Sequence, residues 1–266
     1  MSGFDKNWLA LREPVDRAAR SETVAGEFVS FLESADVPNT VLDIGSGTGS
    51  TYRTLSTRLS PDTRWRLVDY DAVLLEEARR RINPSALVEF HQQDLNDFDD
   101  RLLDRVSAVT ASALFDLCSA EFCAAFVKTL ARNGNALYAA LNYNGTMEWT
   151  ISHPLDEEVV KDFNQHQVSN KGFGPALGPK ATDYLVETCK ANGFECFTGD
   201  SPWRMDGGTR ELQSAFLNGL RTPLKEVGRL SDKDFEGWLD FRLSHIGVES
   251  SICTVGHTDL LSLPRR

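Results

Sequence analysis

The amino-acid sequence predicts an α/β fold built on a doubly wound parallel sheet. Short apolar runs alternate five times with segments whose apolar residues recur at helical spacing, a pattern typical of parallel strands joined by crossover helices. A chain of 266 residues, with 41% hydrophobic and 25% charged residues, can bury one substantial core. We therefore expect residues 1–266 to form a single domain with elaborations.

The predicted strands are apolar runs bounded by turn or charged residues. They cover residues 40–44, 65–69, 87–91, 106–111 and 136–142. The helices between them carry apolar side chains three or four residues apart, and each ends where Pro or Gly interrupts a helix. They cover residues 21–32, a segment ending before Pro61, a segment ending before Pro84, and a segment from the N-cap Ser119 to Gly134.

The alternation breaks after Asn142. Residues 143–180 are predicted to be an insertion after the fifth strand, followed by a helix at 182–192 and a strand at 194–198. A second insertion, at 201–248, has two amphipathic helices, one of them opened by the capping pattern of Ser231 and Asp234. A last strand is expected at 251–255, and residues 1–36 are expected to form an N-terminal helical cover.

Charge and cysteine content exclude several classes of protein. The chain has 28 Lys and Arg against 39 Asp and Glu, a net charge of -11, which argues against nucleic acid as the partner. The five cysteines are odd in number and form no C-x-x-C pair, so we expect a reducing cytoplasm. No apolar run is long enough for a membrane partner, and no metal-ligand spacing such as H-E-x-x-H occurs. We expect a monomer or homodimer without a metal.

The strongest chemical signal is the run Val-Leu-Asp-Ile-Gly-Ser-Gly-Thr-Gly at 41–49. A strand that enters Gly-x-Gly-x-Gly before a helix brings its backbone close to a ligand. Asp43 places a carboxylate there that suits a cationic ligand. Asp69 follows Gly49 by 20 positions, where a carboxylate can accept bonds from ribose hydroxyls. Asp94 follows the third strand and is placed to accept a bond from an adenine amino group.

Four motifs in order, DIGSGTGS, LVDYD, HQQDL and VTASALFDL, resemble the cofactor-binding motifs of class I S-adenosylmethionine-dependent methyltransferases over about residues 38 to 145. The resemblance implies a Rossmann-like, seven-stranded sheet whose last strand is antiparallel, with S-adenosylmethionine as cofactor and S-adenosylhomocysteine as product. It implies the following contacts: Gly45, Ser46 and Gly47 at the methionine and ribose part, Asp69 at the ribose, Asp94 and Leu95 at the adenine, and Ser112 and Ala113 under the cofactor. Tyr70 is placed to stack on the adenine face.

Arginines ahead of the first strand are candidates for the cofactor's carboxylate. In many such methyltransferases a leading helix folds over the cofactor, so Arg12 or Arg20 would hold that carboxylate by a bidentate bond. The alternative is a surface network of Arg with Glu and Asp, which we prefer for Arg17.

Acceptor-site residues are expected after the fourth and fifth strands, because ligands bind outside the carboxyl ends of strands in open α/β sheets. The catalytic candidates are His166, Tyr143 and Asp116, and the substrate-binding candidates are Asn142, Gln167 and Lys171. Plainer roles remain open: a helix cap for Asp116, a bond to neighbouring backbone for Asn142, and a loop hydrogen bond for His166. His257, placed after the last strand, is expected to make a structural bond.

The segment 163–179 holds three glycines and two prolines, without the order of a phosphate-binding loop. We interpret 164–171 as a polar wall that presents His166, Gln167 and Lys171 to the acceptor, and 172–179 as a stiffened turn. A surface loop that merely packs is the alternative.

Together these features predict a cytoplasmic enzyme that methylates a small-molecule metabolite by in-line displacement, with both insertions covering the acceptor pocket. Residues 111–115 read ASALF and lack the Asn-Pro-Pro-Tyr type motif of nucleic-acid and glutamine N-methyltransferases. Two alternatives remain, a non-catalytic protein that binds the cofactor or its product, and an RNA methyltransferase.

Overall fold

The computed structural model describes residues 5–34 and 39–265; residues 1–4, 35–38 and 266, which include parts of the predicted 1–36 cover, lie outside the described residues. Within the described part, eight strands form one sheet: β1 Thr40–Ile44, β2 Arg64–Asp69, β3 Val88–Gln92, β4 Ala108–Ser112, β5 Ala136–Trp149, β6 Phe194–Asp200, β7 Trp203–Met205 and β8 Cys253–Pro264. The α-helices are α1 Lys6–Ala19, α2 Glu22–Glu33, α3 Ser50–Leu55, α4 Ala72–Arg81, α5 Ala120–Asn133, α6 Asp156–Gln167, α7 Ala181–Ala191, α8 Arg210–Gly219, α9 Arg221–Val227 and α10 Asp232–Ser244.

The strand order is β3-β2-β1-β4-β5-β8-β6, with short β7 also pairing to β8. The first five strands pair in parallel, and β8 runs antiparallel to β5, β6 and β7. The chain leaves β1 in one direction for β2 and β3, then returns to the other side of β1 for β4. This reversal opens a crevice at the carboxyl ends of β1 and β4, where ligands bind in doubly wound sheets.

The predicted fold class is confirmed, although the described sheet has eight strands rather than the seven expected, and most element boundaries agree within two residues. Strand β1 has the predicted limits. The Ser119 hydroxyl accepts a bond from Phe122 N at 3.2 Å, and α5 ends at Gly134 in the left-handed conformation. The Ser231 hydroxyl likewise accepts from Asp234 N at 3.1 Å, which caps α10.

The insertions differ from the prediction in three ways. Strand β5 continues to Trp149, and β8 continues from Cys253 to Pro264, because the two strands pair far beyond the sheet's centre, with Trp149 opposite Cys253. The first insertion, 143–180, for which no helix was predicted, contains helix α6, which buries Val159 against the neighbouring helices. The second insertion also contains β7 and the additional helix α9.

Three hydrophobic clusters hold the fold together. One lies under α5 and α7, and a second lies under α2, α3 and α4, so the sheet is covered on both faces. A third joins parts of the chain that are far apart in sequence: Val15 of α1, Tyr143 of β5, Trp203 of β7, Leu212 of α8 and Trp238 of α10. The two insertions and α1 therefore share one core.

The carboxylate of Asp259 in β8 joins the start of helix α2, which covers one face of the sheet, to strand β5. It is fully buried in β8 and accepts three hydrogen bonds, from Tyr138 Oη at 2.9 Å, Leu141 N at 2.8 Å and Ser21 N at 3.1 Å. Leu141 has a φ of 56°, within a register shift of β5. The carboxylate thus stabilises an irregular strand and the start of α2 at once.

We expect Asp259→Asn to lower the free energy of unfolding by about 3 kcal/mol or more, because the new amide NH₂ faces buried donors. Urea denaturation followed by circular dichroism measures this. Asp200→Asn, an exposed carboxyl on the neighbouring strand β6, is the matched control and should change stability by less than about 0.5 kcal/mol. Equal stability of the two variants would contradict the role of Asp259.

Candidate functional site

The loop after β1 contains three glycines in the left-handed conformation. Gly45, Gly47 and Gly49 have φ of 59°, 52° and 79°, a region that favours glycine. A β-carbon on Gly47 would lie 3.3 Å from Leu9 Cδ1 of α1, and one on Gly45 would lie 3.2 Å from Leu114 Cδ1. Helix α1 therefore packs directly over the loop, and the side chain of Leu114 closes it from the β4 side.

Asp69, at the end of β2, ties this loop to the sheet. Its Oδ2 accepts from Gly47 N at 2.7 Å and its Oδ1 accepts from Asp71 N at 3.0 Å. Burial raises the pKa of this carboxyl, and the two backbone bonds oppose the rise. Each carboxylate oxygen has a second lone pair, so Asp69 can still accept bonds from a ligand.

A second group of polar side chains lies between β1, β4 and the junction of α1 with α2. Arg20 Nη2 donates to Ser112 Oγ at 2.7 Å, while Nε and Nη1 of Arg20 are buried without a partner. Asp43 accepts from Thr110 Oγ1 at 2.7 Å through Oδ1, and its Oδ2 has no partner. Burial raises the pKa of Asp43 to about 7. This group therefore has free donors and a free acceptor.

The residues predicted to contact an adenine lie farther along the same edge. Tyr70 is 44% exposed, the largest exposure among the aromatic candidates, and leaves a ring face open. Asp94 Oδ1 accepts from Asn96 N and Asn96 Nδ2, both at 2.9 Å. Leu95 is buried in the cluster under α5. Ala113 follows β4 with a φ of 50° and donates its N–H to Ala140 O at 2.9 Å.

Arg12 and Arg17 in α1 and Arg20, which caps its C-terminus, have different environments. Arg12 forms a buried ion pair with Asp16, at 2.8 Å between Nε and Oδ2, and its guanidinium lies 4.9 Å from the centre of the Trp203 ring. Arg17 is exposed and pairs with Glu13 at 3.5 Å, as the alternative interpretation expected. Arg20 alone of the three reaches the crevice beside Ser112.

On the other side of the β4 end, three acceptor-site candidates come together. Asp116 lies in a 3₁₀ turn, Phe115–Leu117, against β5; Ser119 rather than Asp116 caps α5. Burial raises the pKa of Asp116 to about 6, and its Oδ1 has no partner. Asn142 Nδ2 donates to Ala139 O at 3.1 Å and Thr258 O at 3.2 Å. The amide bonds neighbouring backbone, as one interpretation expected, and leaves its Oδ1 unpartnered.

Tyr143 lines the same place, and its hydroxyl is engaged. The hydroxyl donates to Asn164 Oδ1 at 2.8 Å, and burial raises the pKa of Tyr143. The negative charge of Asp116 adds to that rise. Asn164 belongs to α6, so this bond connects β5 to the first insertion.

The remaining candidates lie at a seam between α6 and α9. Lys171 Nζ donates to His166 Nδ1 at 3.0 Å, and His166 Nε2 donates to Glu226 Oε2 at 2.9 Å. Burial lowers the pKa of Lys171. Gln167 packs against Gly178, where a β-carbon would lie 3.3 Å from the Gln167 carbonyl carbon. His166 therefore joins α6 to α9, and residues 164–167 of the predicted polar wall belong to a helix rather than to a loop.

Two side chains at the site were not predicted from the sequence. His257, opposite Tyr143 in β8, is 6% exposed, and its Nδ1 is buried and unpartnered. Burial, followed by the charge of Arg12, lowers the pKa of His257 to about 4. Trp203 lies 5.0 Å from His257 between ring centres and donates from Nε1 to Asp16 Oδ1 at 2.8 Å. Only the pairing of β5, β7 and β8 brings these residues together.

The residues that the structure describes therefore place two sets of unpartnered buried polar atoms at the crevice. Beside the glycine loop they are Arg20 Nε and Nη1, Asp43 Oδ2 and Ser46 Oγ. Near the register shift in the middle of β5 they are Asp116 Oδ1, Asn142 Oδ1 and His257 Nδ1. Buried polar atoms are nearly always bonded in proteins, so a water molecule or a ligand supplies the partner of such groups. No described group of three or more His, Cys, Asp or Glu side chains is arranged to hold a metal ion, and no described helix is long and apolar enough to cross a membrane.

Comparisons with known proteins identify one matching family model and solved structures of similar fold. Residues 41–134 match the family model described as "Methyltransferase domain". The YcgJ protein of Bacillus subtilis is 14% identical, with 92% of this chain and 100% of that chain covered and a TM-score of 0.50. A mycolic acid cyclopropane synthase, CmaA1, complexed with SAH and CTAB, is 15% identical over 88% of this chain and 83% of that chain, with a TM-score of 0.49. No curated protein matches the chain.

We expect Asp116→Asn to raise thermal stability at pH 8 and to have little effect at pH 4. A carboxyl whose pKa is raised to about 6 binds its proton more tightly in the folded state, so the folded protein loses stability as pH rises from about 4 to 6. The asparagine cannot ionise, so it avoids that loss, and we expect the melting temperature to rise by about 3 °C or more at pH 8.

Differential scanning fluorimetry across pH measures this effect, with the exposed, unbonded Asp62→Asn as control. If Asp116→Asn raised the melting temperature equally at pH 4 and pH 8, burial would not be what raises the pKa of this carboxyl.

Proposed function

We propose that this chain is a class I S-adenosylmethionine-dependent methyltransferase and that it transfers a methyl group to a small-molecule acceptor; the matched domain and the Rossmann-like fold support this proposal. One observation carries the proposal: two separate sets of unpartnered buried polar atoms flank the end of β4, one beside the glycine loop and one beside β5. Two adjoining half-sites suit a reaction that brings a donor and an acceptor together.

The half-site beside the glycine loop has the groups that S-adenosylmethionine requires. Asp69 retains lone pairs for ribose hydroxyls, and Tyr70 has an open ring face for an adenine. The unpartnered nitrogens of Arg20 fit the cofactor's carboxylate, and the unpartnered Oδ2 of Asp43 fits its ammonium group. When bound, the cofactor supplies a methyl group activated by a sulfonium.

The acceptor half-site favours a small molecule. It lies beneath α1 and the third hydrophobic cluster, so we propose that α1 and the two insertions act as its cover. The net charge of -11 also disfavours nucleic acid as the acceptor. We place the reaction in the cytoplasm, because all five cysteines are free thiols.

Among the three catalytic candidates, we propose Asp116 as the group that contacts the acceptor, because its Oδ1 is free. The hydroxyl of Tyr143 and both ring nitrogens of His166 already have partners, so we propose that Tyr143 shapes the pocket and that His166 holds α6 against α9. Asn142 is proposed to bind the acceptor through Oδ1. Gln167 and Lys171 are proposed to support the cover.

Arg20→Met should weaken S-adenosylhomocysteine binding at least about tenfold while leaving 5′-methylthioadenosine affinity within about twofold, because only the first compound carries a carboxylate. Isothermal titration calorimetry with both compounds measures this. Arg17→Met is the matched control, since Arg17 is exposed and remote from Ser112. Equal losses for both compounds would refute a carboxylate contact and leave Arg20 a purely structural role.

Asp69→Asn should weaken both compounds alike, because both contain the ribose. The loss of charged hydrogen bonds predicts about 1.5–3 kcal/mol of binding free energy, measured in the same titrations. Asp99→Asn, an exposed carboxylate bonded to Arg101, is the control. Unchanged affinity of Asp69→Asn would rule out the ribose contact.

Turnover separates the enzyme from a protein that only binds the cofactor. Purified protein is incubated with S-adenosylmethionine and a metabolite extract, and released S-adenosylhomocysteine is quantified. We expect release that depends on the extract. Tight binding without release on any extract would favour the non-catalytic alternative, and a steep salt-dependent affinity for RNA would favour the RNA alternative.

A further inference from the structure

Two cysteines that the proposed methyl transfer does not use lie against each other at the edge of the sheet. Strand β6 is the last strand in the sheet order, and a turn at Gly193 brings it back along helix α7. Cys196 Sγ of β6 lies 3.9 Å from Val186 O, one helical turn before Cys189 of α7. The thiol of Cys189 donates a hydrogen bond to the sulfur of Cys196. The fold therefore brings the two sulfurs into contact.

A hydroxyl of the neighbouring strand contacts both sulfurs. Cys196 and Ser262 lie directly opposite each other in the antiparallel pairing of β6 with β8, so their side chains are on the same face of the sheet. Ser262 Oγ is 3.5 Å from Cys196 Sγ, and it also bonds the thiol of Cys189. Cys189 belongs to the hydrophobic cluster under this face, and Cys196 packs against that cluster. Helix α7 and strand β8 thus hold the two cysteines in place together.

The two thiols differ in access and in charge. Cys189 is 1% exposed, whereas Cys196 is only partly buried and reaches solvent at the edge of the sheet. The hydrogen bond from Cys189 lowers the pKa of Cys196, and the bond to Ser262 and the charges of Lys190 and Arg265 add to this effect against the opposing effect of burial. Donating that bond, together with burial, raises the pKa of Cys189, which therefore keeps its proton. An accessible thiolate beside a buried thiol is typical of a reactive cysteine with a resolving partner.

The other three cysteines lack this access. Cys118, Cys123 and Cys253 are fully buried, and all five cysteines lie within the described residues. The thiol of Cys118 is bonded to that of Cys123, and burial raises the pKa of Cys118. The protein thus contains a second pair of neighbouring cysteines that solvent does not reach, which serves as an internal control.

From this geometry we propose that Cys196 and Cys189 form an oxidation-sensitive pair, in which Cys196 reacts with hydrogen peroxide and Cys189 then converts the product to a disulfide. The Cys196 thiolate attacks one peroxide oxygen, the O–O bond breaks, and the departing hydroxide takes up the proton that Cys196 had released. This step leaves water and a sulfenic acid on Cys196.

The second step forms the disulfide. The Cys189 sulfur attacks the Cys196 sulfur, the S–O bond breaks, and the leaving hydroxyl takes the Cys189 proton to become water. In sum, two thiols are oxidised to one disulfide while one peroxide is reduced to two waters. The disulfide ties the last turn of α7 to the edge strand β6. The inference does not depend on the proposed function, and its test needs neither cofactor nor acceptor.

Peptide mapping tests the pair directly, because trypsin cleaves between the two cysteines at Lys190. The reduced, folded protein is freed of reductant and treated with hydrogen peroxide at a concentration that leaves its circular dichroism spectrum unchanged. The remaining thiols are alkylated with iodoacetamide in denaturant before digestion. We expect peptide 181–190 joined to peptide 191–204, and three alkylated cysteines instead of five. Dithiothreitol should restore all five thiols.

The buried pair Cys118 and Cys123 is measured in the same sample and should remain alkylated. If the joined peptides did not form, the inference would be overturned. It would also fail if Cys118 and Cys123 were oxidised as fast as Cys189 and Cys196, because proximity alone would then decide the chemistry. Iodoacetamide added to the folded, reduced protein gives a second readout. We expect Cys196 to react at least about tenfold faster than each of the other cysteines.

Variants separate the two roles. In Cys189→Ala the oxidation of Cys196 should stop at the sulfenic acid, which dimedone traps on peptide 191–204. In Cys196→Ser, Cys189 should stay reduced and be alkylated in full. A dimedone adduct that persists in the wild type without a disulfide would show that Cys189 does not resolve the sulfenic acid. Oxidation of Cys189 in Cys196→Ser at the wild-type rate would contradict the assignment of Cys196 as the reactive thiol.

Discussion

The buried carboxylate of Asp259 is the constraint on which much of this structure depends. A charge without solvent is tolerated only when donors surround it, and Asp259 has three, from a helix start, a tyrosine and an irregular strand. Because Arg20 directly precedes Ser21, fixing Ser21 also fixes Arg20 beside β4. Because Leu141 directly precedes Asn142, the same carboxylate stabilises the register shift of β5 beside Asn142.

Buried polar groups in this protein fall into two kinds with different roles. Those that are fully bonded connect elements: Asp16 joins α1 to β7 through Trp203, and Asp156 joins α6 to α10 through Trp238 and Arg242. Others have atoms without a protein partner, and two of these, Asp43 and Asp116, lie near the carboxyl ends of β1 and β4. The raised pKa values of Asp43 and Asp116 show that burying these carboxyls costs folding free energy. The well-bonded polar groups elsewhere offset this cost.

Helix α1 links the two half-sites physically. Glu13 pairs with Arg53 at 2.7 Å and with Arg81 at 3.4 Å, which fixes α1 to the helices beside the glycine loop. One turn later, Asp16 bonds Trp203, which belongs to the second insertion. A single helix therefore contacts the proposed cofactor side and the proposed acceptor side, and its packing couples the geometry of one to the other.

The sequence by itself determined the layered fold, the cap residues Ser119 and Ser231, and the glycine loop with Asp69, because each depends on local periodicity or on residues close to a strand end. The tertiary structure alone decided the acceptor half-site. His257 and Trp203 reach Tyr143 only through antiparallel pairing across more than fifty residues of chain, and strand register cannot be inferred from local patterns when a bulge shifts it. Helix α6, which holds His166, could not be predicted from the sequence for a related reason. Its buried face packs against side chains from the second insertion.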